Sequence, residues 1–191
     1  PIHISNHPLY NNFGSVIKKD FAQKKLNLDP NFNYILFFGF IRKYKGLDLL
    51  LDAMSSNYIK ESKIKLIIAG EFYENEKIYR KKIRDLNISK YVIIFNNYIK
   101  NDEVSKFFCS SDIVVQPYIS ATQSGVSMIA FHFNKPVLAT DVGGLSDYIK
   151  NKQNGYIVEP NPQAIVDSLK DYFDHKRELN FKEEIKQTKK Q

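Results

Sequence analysis

From residue 34 onward, short runs of β-branched and aromatic residues alternate with segments of helical spacing. The apolar runs predict six strands, at 34–40, 63–70, 91–96, 112–118, 136–140 and 155–160. The segments between and after them predict helices at 46–54, 74–86, 101–111, 123–133, 145–150 and 161–173. Strands that are apolar throughout are typical of a parallel sheet covered on both faces. The pattern therefore predicts an α/β fold, a Rossmann-like doubly wound sheet of about six parallel strands with helices on both faces.

The helix predicted at 123–133 is expected to be buried on most of its sides. Its apolar residues form two faces, with Val126, Ile129, Ala130 and Phe133 on the first and Met128 and Phe131 on the second. A loop of small and hydrogen-bonding residues leads directly into this helix, with the sequence SATQSG at 120–125. One side-chain oxygen suffices for an ordinary helix cap, so the other polar residues of the loop need a separate explanation.

The same pattern divides the chain into three parts. Residues 1–33 are predicted as a lead-in from a missing N-terminal domain, 34–175 as the Rossmann-like domain, and 176–191 as a charged C-terminal tail. The first ten residues, PIHISNHPLY, contain no initiating methionine. We therefore expect the chain to be a fragment of a longer protein.

Composition narrows the class of protein. The chain has 191 residues, 43% of them hydrophobic and 14% aromatic, which is enough for the core of one domain. A single cysteine, Cys109, excludes a disulfide framework and favours a reducing compartment. The sequence shows neither a leader peptide nor an apolar run of membrane-spanning length. We expect a cytoplasmic protein, with peripheral association at the inner face of a membrane left open.

The formal net charge of +7 favours an anionic partner. Nucleic acid, a membrane surface and a phosphorylated small molecule all satisfy this condition. The lysines are scattered from end to end, which disfavours a dedicated nucleic-acid surface. We therefore expect no nucleic-acid partner. Binding of nucleic acid with an affinity that falls steeply as the salt concentration rises would contradict this expectation.

In a doubly wound sheet, ligands bind beyond the carboxyl ends of the strands, so the residues there are the candidate site. After the first strand, Gly39 permits a tight turn, and Arg42 and Lys45 bring two cations to the entrance of a helix. Helix N-termini carry partial positive charge and free N–H groups, which suits a phosphate. A solvated basic loop is the alternative interpretation of these cations.

The next two strand ends carry weaker signals. Gly70 and Glu71 follow the second strand, where a turn could need the glycine and the glutamate could be solvated. Asn97, Tyr98 and Ile99 follow the third strand, where a flat ring could lie against the backbone. Tyr98 could equally be a half-buried packing aromatic. A further glycine-rich turn, TDVGGLSD at 140–147, follows the fifth strand. The turns after the first, fourth and fifth strands are thus the three that suit a phosphate.

At this point the sequence resembles the C-terminal, donor-binding domain of the retaining GT-B glycosyltransferases of family 4 (group 1). Five blocks match in order and spacing: FFGFIRKYKGLDLLLDAM at 37–54, KLIIAGEF at 65–72, DIVVQPY at 112–118, KPVLATDVGGLSDYI at 135–149 and NGYIVEP at 154–160. The resemblance covers roughly residues 34–175. It implies one lobe of a GT-B fold that binds a nucleoside-diphosphate sugar, UDP- or GDP-linked. It further implies sugar transfer with retention, in polysaccharide biosynthesis, to a saccharide or lipid-linked acceptor held by the missing domain.

The resemblance also implies roles for particular residues. Arg42 and Lys45 would grip the diphosphate and neutralise the charge that grows on the leaving group. Further donors to the phosphates would come from Gln123, Ser124, Gly125 and Val126, and the turn at Asn97, Tyr98 and Ile99 would hold the base. Gly39, Gly70, Glu71 and Thr122 complete the candidate donor-binding residues.

No cofactor and no metal ion are expected, because cations and a helix terminus would supply the positive charge. His3 and His7 are four residues apart, but their stretch alternates like an extended segment and His7 precedes Pro8, so a metal site there is disfavoured. A dinucleotide oxidoreductase is also disfavoured, because no G-x-G-x-x-G follows the first strand.

The sequence departs from the family in one respect. Many members carry two glutamates eight positions apart around the start of this helix. Ala121 and Ile129 occupy those positions by ungapped count, and a shift of two residues places Phe131 at the second. Neither alignment supplies a carboxylate. A nucleotide-binding module without catalytic activity therefore remains the alternative function.

Overall fold

Six parallel strands form the centre of the computed structural model, which describes residues 12–122, 124–145 and 148–189. The strands are β1 (Asn33–Phe38), β2 (Ile64–Ala69), β3 (Val92–Phe95), β4 (Ile113–Gln116), β5 (Val137–Thr140) and β6 (Gly155–Val158). Their order in the sheet is β3-β2-β1-β4-β5-β6, and each neighbouring pair is parallel. The predicted Rossmann-like sheet is confirmed. Its strand order reverses between β1 and β4, which is where such sheets bind ligands.

Helices cover both faces of the sheet. They are α1 (Lys19–Lys25), α2 (Leu47–Met54), α3 (Asn57–Glu61), α4 (Glu76–Asp85), α5 (Val104–Ser110), α6 (Gly125–His132), α7 (Pro162–Asp174) and α8 (Glu178–Thr188). Short 3₁₀ turns lie at Lys43–Lys45, Ser89–Tyr91, Asn101–Glu103 and Gly143–Leu145. The helices α2, α3, α4 and α7 pack on one face, and α1, α5 and α6 pack on the other.

Two hydrophobic cores explain why the strands are apolar throughout. Successive side chains of β1 point to opposite faces, so Ile35 and Phe37 enter one core while Tyr34 and Leu36 enter the other. All four side chains are at most 1% exposed. The chain therefore needs apolar or aromatic residues at all four of these positions, as the sequence predicts.

Helices from both ends of the chain pack against this sheet. In the segment predicted as a lead-in, α1 contacts α5, and its Ala22 is fully buried. In the segment predicted as a tail, α8 places Phe181 in one core and Ile185 in the other. The three-part division of the chain stays a prediction, but helices from both flanking segments contribute to the domain core.

Residues 146 and 147 of the helix predicted at 145–150 lie outside the described ranges, and its other residues do not form an α-helix. A 3₁₀ turn occupies Gly143–Leu145, and residues 148–150 are not helical. The buried Asn154 explains the difference, because its side chain accepts a hydrogen bond from the Lys150 amide (2.7 Å) and donates to the Tyr148 carbonyl (3.3 Å). Backbone groups that a helix would use are thereby satisfied by a side chain.

Three smaller features were not predicted. The sequence pattern missed α1 and α3, and the predicted helix at 101–111 begins with a 3₁₀ turn before α5. None of the helices in the described ranges is long and apolar enough to cross a membrane.

Candidate functional site

The carboxyl ends of β1 and β4 meet at the centre of the sheet, where the strand order reverses. After β1 the chain forms the 3₁₀ turn Lys43–Lys45 and enters α2 at Gly46. Gly46 has a left-handed backbone (φ 68°), and a Cβ there would lie 1.8 Å from the Pro117 carbonyl oxygen. The glycine therefore allows the loop after β1 to approach the loop after β4 more closely than any side chain would permit.

Backbone contacts connect the loop after β4 to its neighbours on both sides. The Ile119 amide donates to the Tyr44 carbonyl (2.7 Å), and the Gly144 amide donates to the Thr122 carbonyl (3.0 Å). A Cβ on Gly143 would lie 1.5 Å from the carbonyl oxygen of Ala121. The turns after β1 and β4 thus border the site. The turn after β5 contacts the loop after β4 through the Gly144 amide.

A buried hydrogen-bond network fixes the start of α6. Gln116, the last residue of β4, donates through Nε2 to Ser124 Oγ (2.7 Å) and accepts through Oε1 from Ser127 Oγ (2.6 Å). Ser124 caps the helix by accepting from the Val126 amide (3.3 Å), and the Tyr118 hydroxyl lies 3.3 Å from Ser124 Oγ. The sequence reasoning missed Gln116, Tyr118 and Ser127. A glutamine at the end of an otherwise apolar strand was the available signal.

An open cavity of about 350 Å³ lies in front of this helix start. Its wall consists of Phe13, Tyr44, Lys45, Tyr118, Ser124, Gly125, Val126 and Ile129. No described residue accepts a hydrogen bond from the amide of Gly125, the first residue of α6. A helix N-terminus with a free amide carries partial positive charge. We call this space the cationic cavity.

Lys45 supplies the full positive charge of the cationic cavity. Its side chain is only 8% exposed, and burial, together with the nearby Arg42, lowers its pKa to about 8. Within the described part of the chain, no carboxylate pairs with its ammonium group, which lies 5.8 Å from the centre of the Tyr118 ring. A Cβ on Gly39 would lie 3.1 Å from Lys45 Nζ, so the glycine leaves room for the ammonium group. A buried cation without a counter-charge favours an anionic ligand.

A second cavity of about 210 Å³ adjoins the first, since Phe13 and Ile129 belong to both walls. Its other lining residues are Phe38, Gly39, Phe40, Gly70, Glu71, Tyr98, Ile99, Asn101 and Val104. Most of this wall is apolar or aromatic, and we call the space the apolar cavity. The two cavities together form a trough with one cationic and one apolar end.

The glycines and the glutamate predicted for the site reach this trough in different ways. Gly39 and Gly70 line the apolar cavity, and a Cβ on Gly70 would lie 2.2 Å from the Gly39 carbonyl oxygen. The two strand ends can therefore approach this closely only because Gly70 lacks a side chain. Glu71 lines the same cavity, and its carbonyl accepts from the Ile41 amide (2.9 Å).

Arg42 is not in the described walls of either cavity. Its guanidinium lies over the Tyr73 ring, 4.5 Å from the ring centre, and Tyr73 in turn packs edge-on against Phe40. The side chains of Arg42 and Tyr73 are exposed, and so Arg42 lies at the rim of the trough. Lys45 and Arg42 are close enough for their charges to repel, as the lowered pKa of Lys45 indicates.

The remaining predicted residues are distributed unevenly. Tyr98 and Ile99 line the apolar cavity, whereas the exposed Asn97 donates to the Tyr98 carbonyl (3.2 Å) and is not in the wall. Thr122 is exposed and meets the turn after β5 through its carbonyl. Gln123, like His3 and His7, lies outside the described residues. The roles of all these residues stay predictions.

A third cavity, of about 320 Å³, lies at the opposite edge of the sheet. Lys19 and Lys135 in its wall are accompanied there by Asp112 and Glu178. Asp112 pairs with Lys19 and accepts from the Tyr34 amide (2.8 Å), while Lys135 donates to the Ser111 carbonyl (2.6 Å). These interactions connect the segment before β4 to α1, to β1 and to the turn before β5. In the described part of the chain, no group of three His, Cys, Asp or Glu side chains could hold a metal ion.

Comparison with known proteins agrees with this geometry. Residues 18–191 match the family described as glycosyl transferases group 1, so the chain belongs to that family. A lipopolysaccharide 1,2-N-acetylglucosaminetransferase of Salmonella typhimurium is 28% identical over 162 residues, which are 79% of this chain and 42% of that protein. The predicted resemblance to the C-terminal domain of this group is thereby confirmed.

Two solved structures share the fold. The C-terminal domain of a glycosyl transferase group 1 family protein from Francisella tularensis superposes with a TM-score of 0.79, at 21% identity, over 91% of this chain and 92% of that one. The Anabaena protein HepE in complex with UDP-glucose superposes with a TM-score of 0.73, at 16% identity, over 87% of this chain and 45% of that one. The chain spans less than half the length of the curated relatives that it matches.

Proposed function

We propose that this chain is the donor-binding part of a glycosyltransferase and binds a nucleoside-diphosphate sugar in the trough at the carboxyl edge of its sheet. The observation that carries the proposal is Lys45, a buried ammonium group without a carboxylate partner among the described residues, beside the free amide of Gly125. Membership of the glycosyl transferases group 1 family supports the same assignment.

The two ends of the trough fit the two ends of such a donor. The diphosphate belongs in the cationic cavity, where Lys45, the Gly125 amide and the Ser124 hydroxyl can donate to its oxygens. The base belongs in the apolar cavity, against Tyr98 and Ile99. The bound UDP-glucose of the Anabaena relative supports a nucleotide sugar as ligand, and UDP- and GDP-linked donors are the candidates.

Transfer breaks the bond between the anomeric carbon of the sugar and the terminal phosphate oxygen. The bonding electrons leave with the nucleoside diphosphate, and an acceptor hydroxyl forms the new glycosidic bond on the same face, so the configuration is retained. The hydroxyl proton passes to the departing phosphate. Lys45 and the start of α6 stabilise the negative charge that grows there, and Arg42 adds to the field from the rim. These positive groups serve where a metal ion would otherwise be needed.

The acceptor belongs to the part of the protein that lies outside this chain. A saccharide or a lipid-linked saccharide is the proposed acceptor, and the similarity to a lipopolysaccharide transferase supports this choice. Such a reaction would take place in the cytoplasm, and a lipid-linked acceptor would bring the full-length protein to the inner face of a membrane.

The test is a calorimetric titration of the chain with UDP, GDP, ADP and CDP, with a DNA duplex as a further ligand. One diphosphate is expected to bind, and Lys45→Met should weaken it roughly tenfold to a hundredfold, the usual effect of losing a hydrogen bond to a charged group. Lys43→Met is the matched control, since Lys43 lies on the same 3₁₀ turn but is exposed. Equal affinities in wild type and Lys45→Met, or tight binding of the duplex alone, would refute the proposal.

A nucleotide-binding module without catalytic activity is the second candidate. It is favoured by the apolar Ile129 in the walls of both cavities and by the half-buried Ala121, at the two positions where many family members carry glutamate. This candidate requires nucleotide binding without transfer or donor hydrolysis in the full-length protein. Detection of either product with the diphosphate sugar selected by the titration would exclude it.

A further inference from the structure

Gln116 is the one polar residue of β4, and its side chain is only 1% exposed. Both ends of its amide are used, because Oε1 accepts from Ser127 Oγ and Nε2 donates to Ser124 Oγ. These serines lie on the first turn of α6 and at its N-cap, so a single side chain holds the helix start from two sides. A buried amide in a strand costs free energy unless it is fully hydrogen-bonded, as it is here.

The direction of these hydrogen bonds determines what the Ser124 hydroxyl can do. A hydroxyl has one hydrogen to donate and two lone pairs that accept. Ser124 Oγ already accepts from Gln116 Nε2 (2.7 Å) and from the Val126 amide (3.3 Å). Its own hydrogen is therefore left to donate, either to Tyr118 or into the cationic cavity.

The Tyr118 hydroxyl also bears on which hydrogen is left to donate into the cationic cavity. It lies 3.3 Å from Ser124 Oγ and 3.5 Å from Gln116 Nε2, and burial raises its pKa, so it remains a phenol. Ser124 and Tyr118 have two hydroxyl hydrogens, and the bond between them uses one. The other finds no acceptor among the described residues, and both side chains line the cationic cavity. With Lys45 and the Gly125 amide, that part of the wall presents hydrogen-bond donors.

We propose that Gln116 is a positioning residue that occupies Ser124 as an acceptor, so that one hydroxyl hydrogen of the Ser124–Tyr118 pair is left to donate toward the diphosphate, and that holds the start of α6 in place. This inference rests on the proposed function, because it concerns the same site. It predicts that Gln116 affects recognition of the phosphates and leaves recognition of the base unchanged.

Gln116→Glu tests the orientation with almost no change of shape. A carboxylate only accepts, so both serines would have to donate to it. The bond between Tyr118 and Ser124 would then use the Tyr118 hydrogen, and the pair would have no hydrogen left for the cavity. We expect the affinity for the diphosphate that wild type prefers to fall roughly tenfold to a hundredfold, from the lost donor and the added negative charge. The affinity for the corresponding nucleoside, measured by NMR titration, should change by less than about twofold.

Gln163→Glu is the matched control, since it makes the same charge change at an exposed residue of α7. It should leave both affinities unchanged. A fall of diphosphate and nucleoside affinity together in Gln116→Glu would indicate general damage to the fold and would overturn the inference. Unchanged diphosphate affinity would overturn it as well.

Ser127→Ala provides a second variant if Gln116→Glu does not fold. It removes only the donor to Gln116 Oε1 and should lower diphosphate affinity severalfold, again without effect on the nucleoside. Unchanged diphosphate affinity in Ser127→Ala would then overturn the inference. If wild type itself binds none of the diphosphates, the proposed function is refuted. If wild type binds and the variants bind equally well, only the role of Gln116 is refuted.

Discussion

Each edge of the sheet contains a cavity lined by a lysine, and the buried Lys45 and the half-buried Lys135 have different surroundings. At the carboxyl edge, Lys45 lines a cavity of about 350 Å³ and has no carboxylate partner among the described residues. At the opposite edge, Lys135 lines a cavity of about 320 Å³, donates to the Ser111 carbonyl, and lies near Asp112 and Glu178. Burial lowers the pKa of both lysines, and the two carboxylates oppose this effect at Lys135 only.

The two edges are also held together by different interactions. The loops at the carboxyl edge interlock through backbone contacts that require glycine, as at Gly46 and Gly143. The opposite edge is held by side chains, with Asp112 joining Lys19 to the backbone of Tyr34. An edge whose charges are satisfied internally is complete without a ligand. The carboxyl edge holds a charge that a bound anion would satisfy, which distinguishes the candidate site from the scaffold.

Gly46→Ala should have the largest effect, because it breaks the interlocked loops at the carboxyl edge. A Cβ there combines left-handed backbone strain with a contact of 1.8 Å to the Pro117 carbonyl, and we expect a loss of about 3 kcal/mol or more in the free energy of unfolding. Denaturant unfolding measures this loss. Gly14→Ala is the control, since Gly14 also has positive φ (85°) but its Cβ would meet only ordinary contacts at 3.7 Å. Equal losses in both variants would mean that the close approach at Gly46 has no energetic consequence.

Exchanging each of these two lysines for methionine tests the comparison directly. Lys135→Met should lower the free energy of unfolding by about 1–3 kcal/mol, because the Ser111 carbonyl loses its donor. It should leave diphosphate affinity within about twofold. Lys45→Met should do the reverse, reducing affinity roughly tenfold to a hundredfold without loss of stability, since it removes a buried, unpaired cation. Denaturant unfolding measures the stability of both variants, and calorimetry measures their diphosphate affinity. If both variants changed stability and affinity in the same way, the two edges would not differ in function.

The pH dependence should show a smaller, graded effect. Folding lowers the pKa of Lys45 from 10.5 to about 8, so between these values the unfolded chain holds a proton that the folded chain has lost. The free energy of unfolding should therefore rise with pH from about 8 to 10.5, by about 3 kcal/mol at most for this group. Over the same range diphosphate affinity should fall, by up to about tenfold per pH unit, because the ligand requires the charged ammonium group.

Lys45→Met should flatten both pH profiles, whereas Lys43→Met should retain them. Proton uptake on diphosphate binding above pH 8, measured by calorimetry in buffers of different ionisation enthalpy, gives an independent readout. Profiles that are unchanged in Lys45→Met would assign the titration to another group.

The sequence predicted the sheet because burial on both faces leaves a local trace. The six strands were found because each is a short apolar run, and the long α7 because Asn161 and Pro162 begin it in the usual way. The helix predicted at 145–150 was wrong at residues 148–150, because the Asn154 side chain bonds the Tyr148 carbonyl and the Lys150 amide. Local spacing cannot report an interaction of that kind.

The candidate site was partly readable for a similar reason. Lys45, Ser124 and Gly125 follow strand ends, and parallel strands bring their carboxyl ends to one edge. Gln116 was missed because it lies within an apolar strand, and its hydrogen bonds to the two serines exist only once the loop after β4 has folded back onto the strand end. Phe13 was missed because nothing in the sequence indicates that the segment before α1 reaches both cavities.

The sequence by itself determined the parallel α/β sheet and the edge of that sheet at which a ligand would bind, because the hydrophobic pattern shows local periodicity and parallel strands bring their carboxyl ends to one edge. The tertiary structure alone decided which cations face the trough. Lys45 and Arg42 are three residues apart and have the same charge, yet packing buries one in the cavity wall and leaves the other on Tyr73 at the rim. Burial and the absence of a described carboxylate partner depend on residues far apart in sequence, and these determine the pKa and the affinity for an anion.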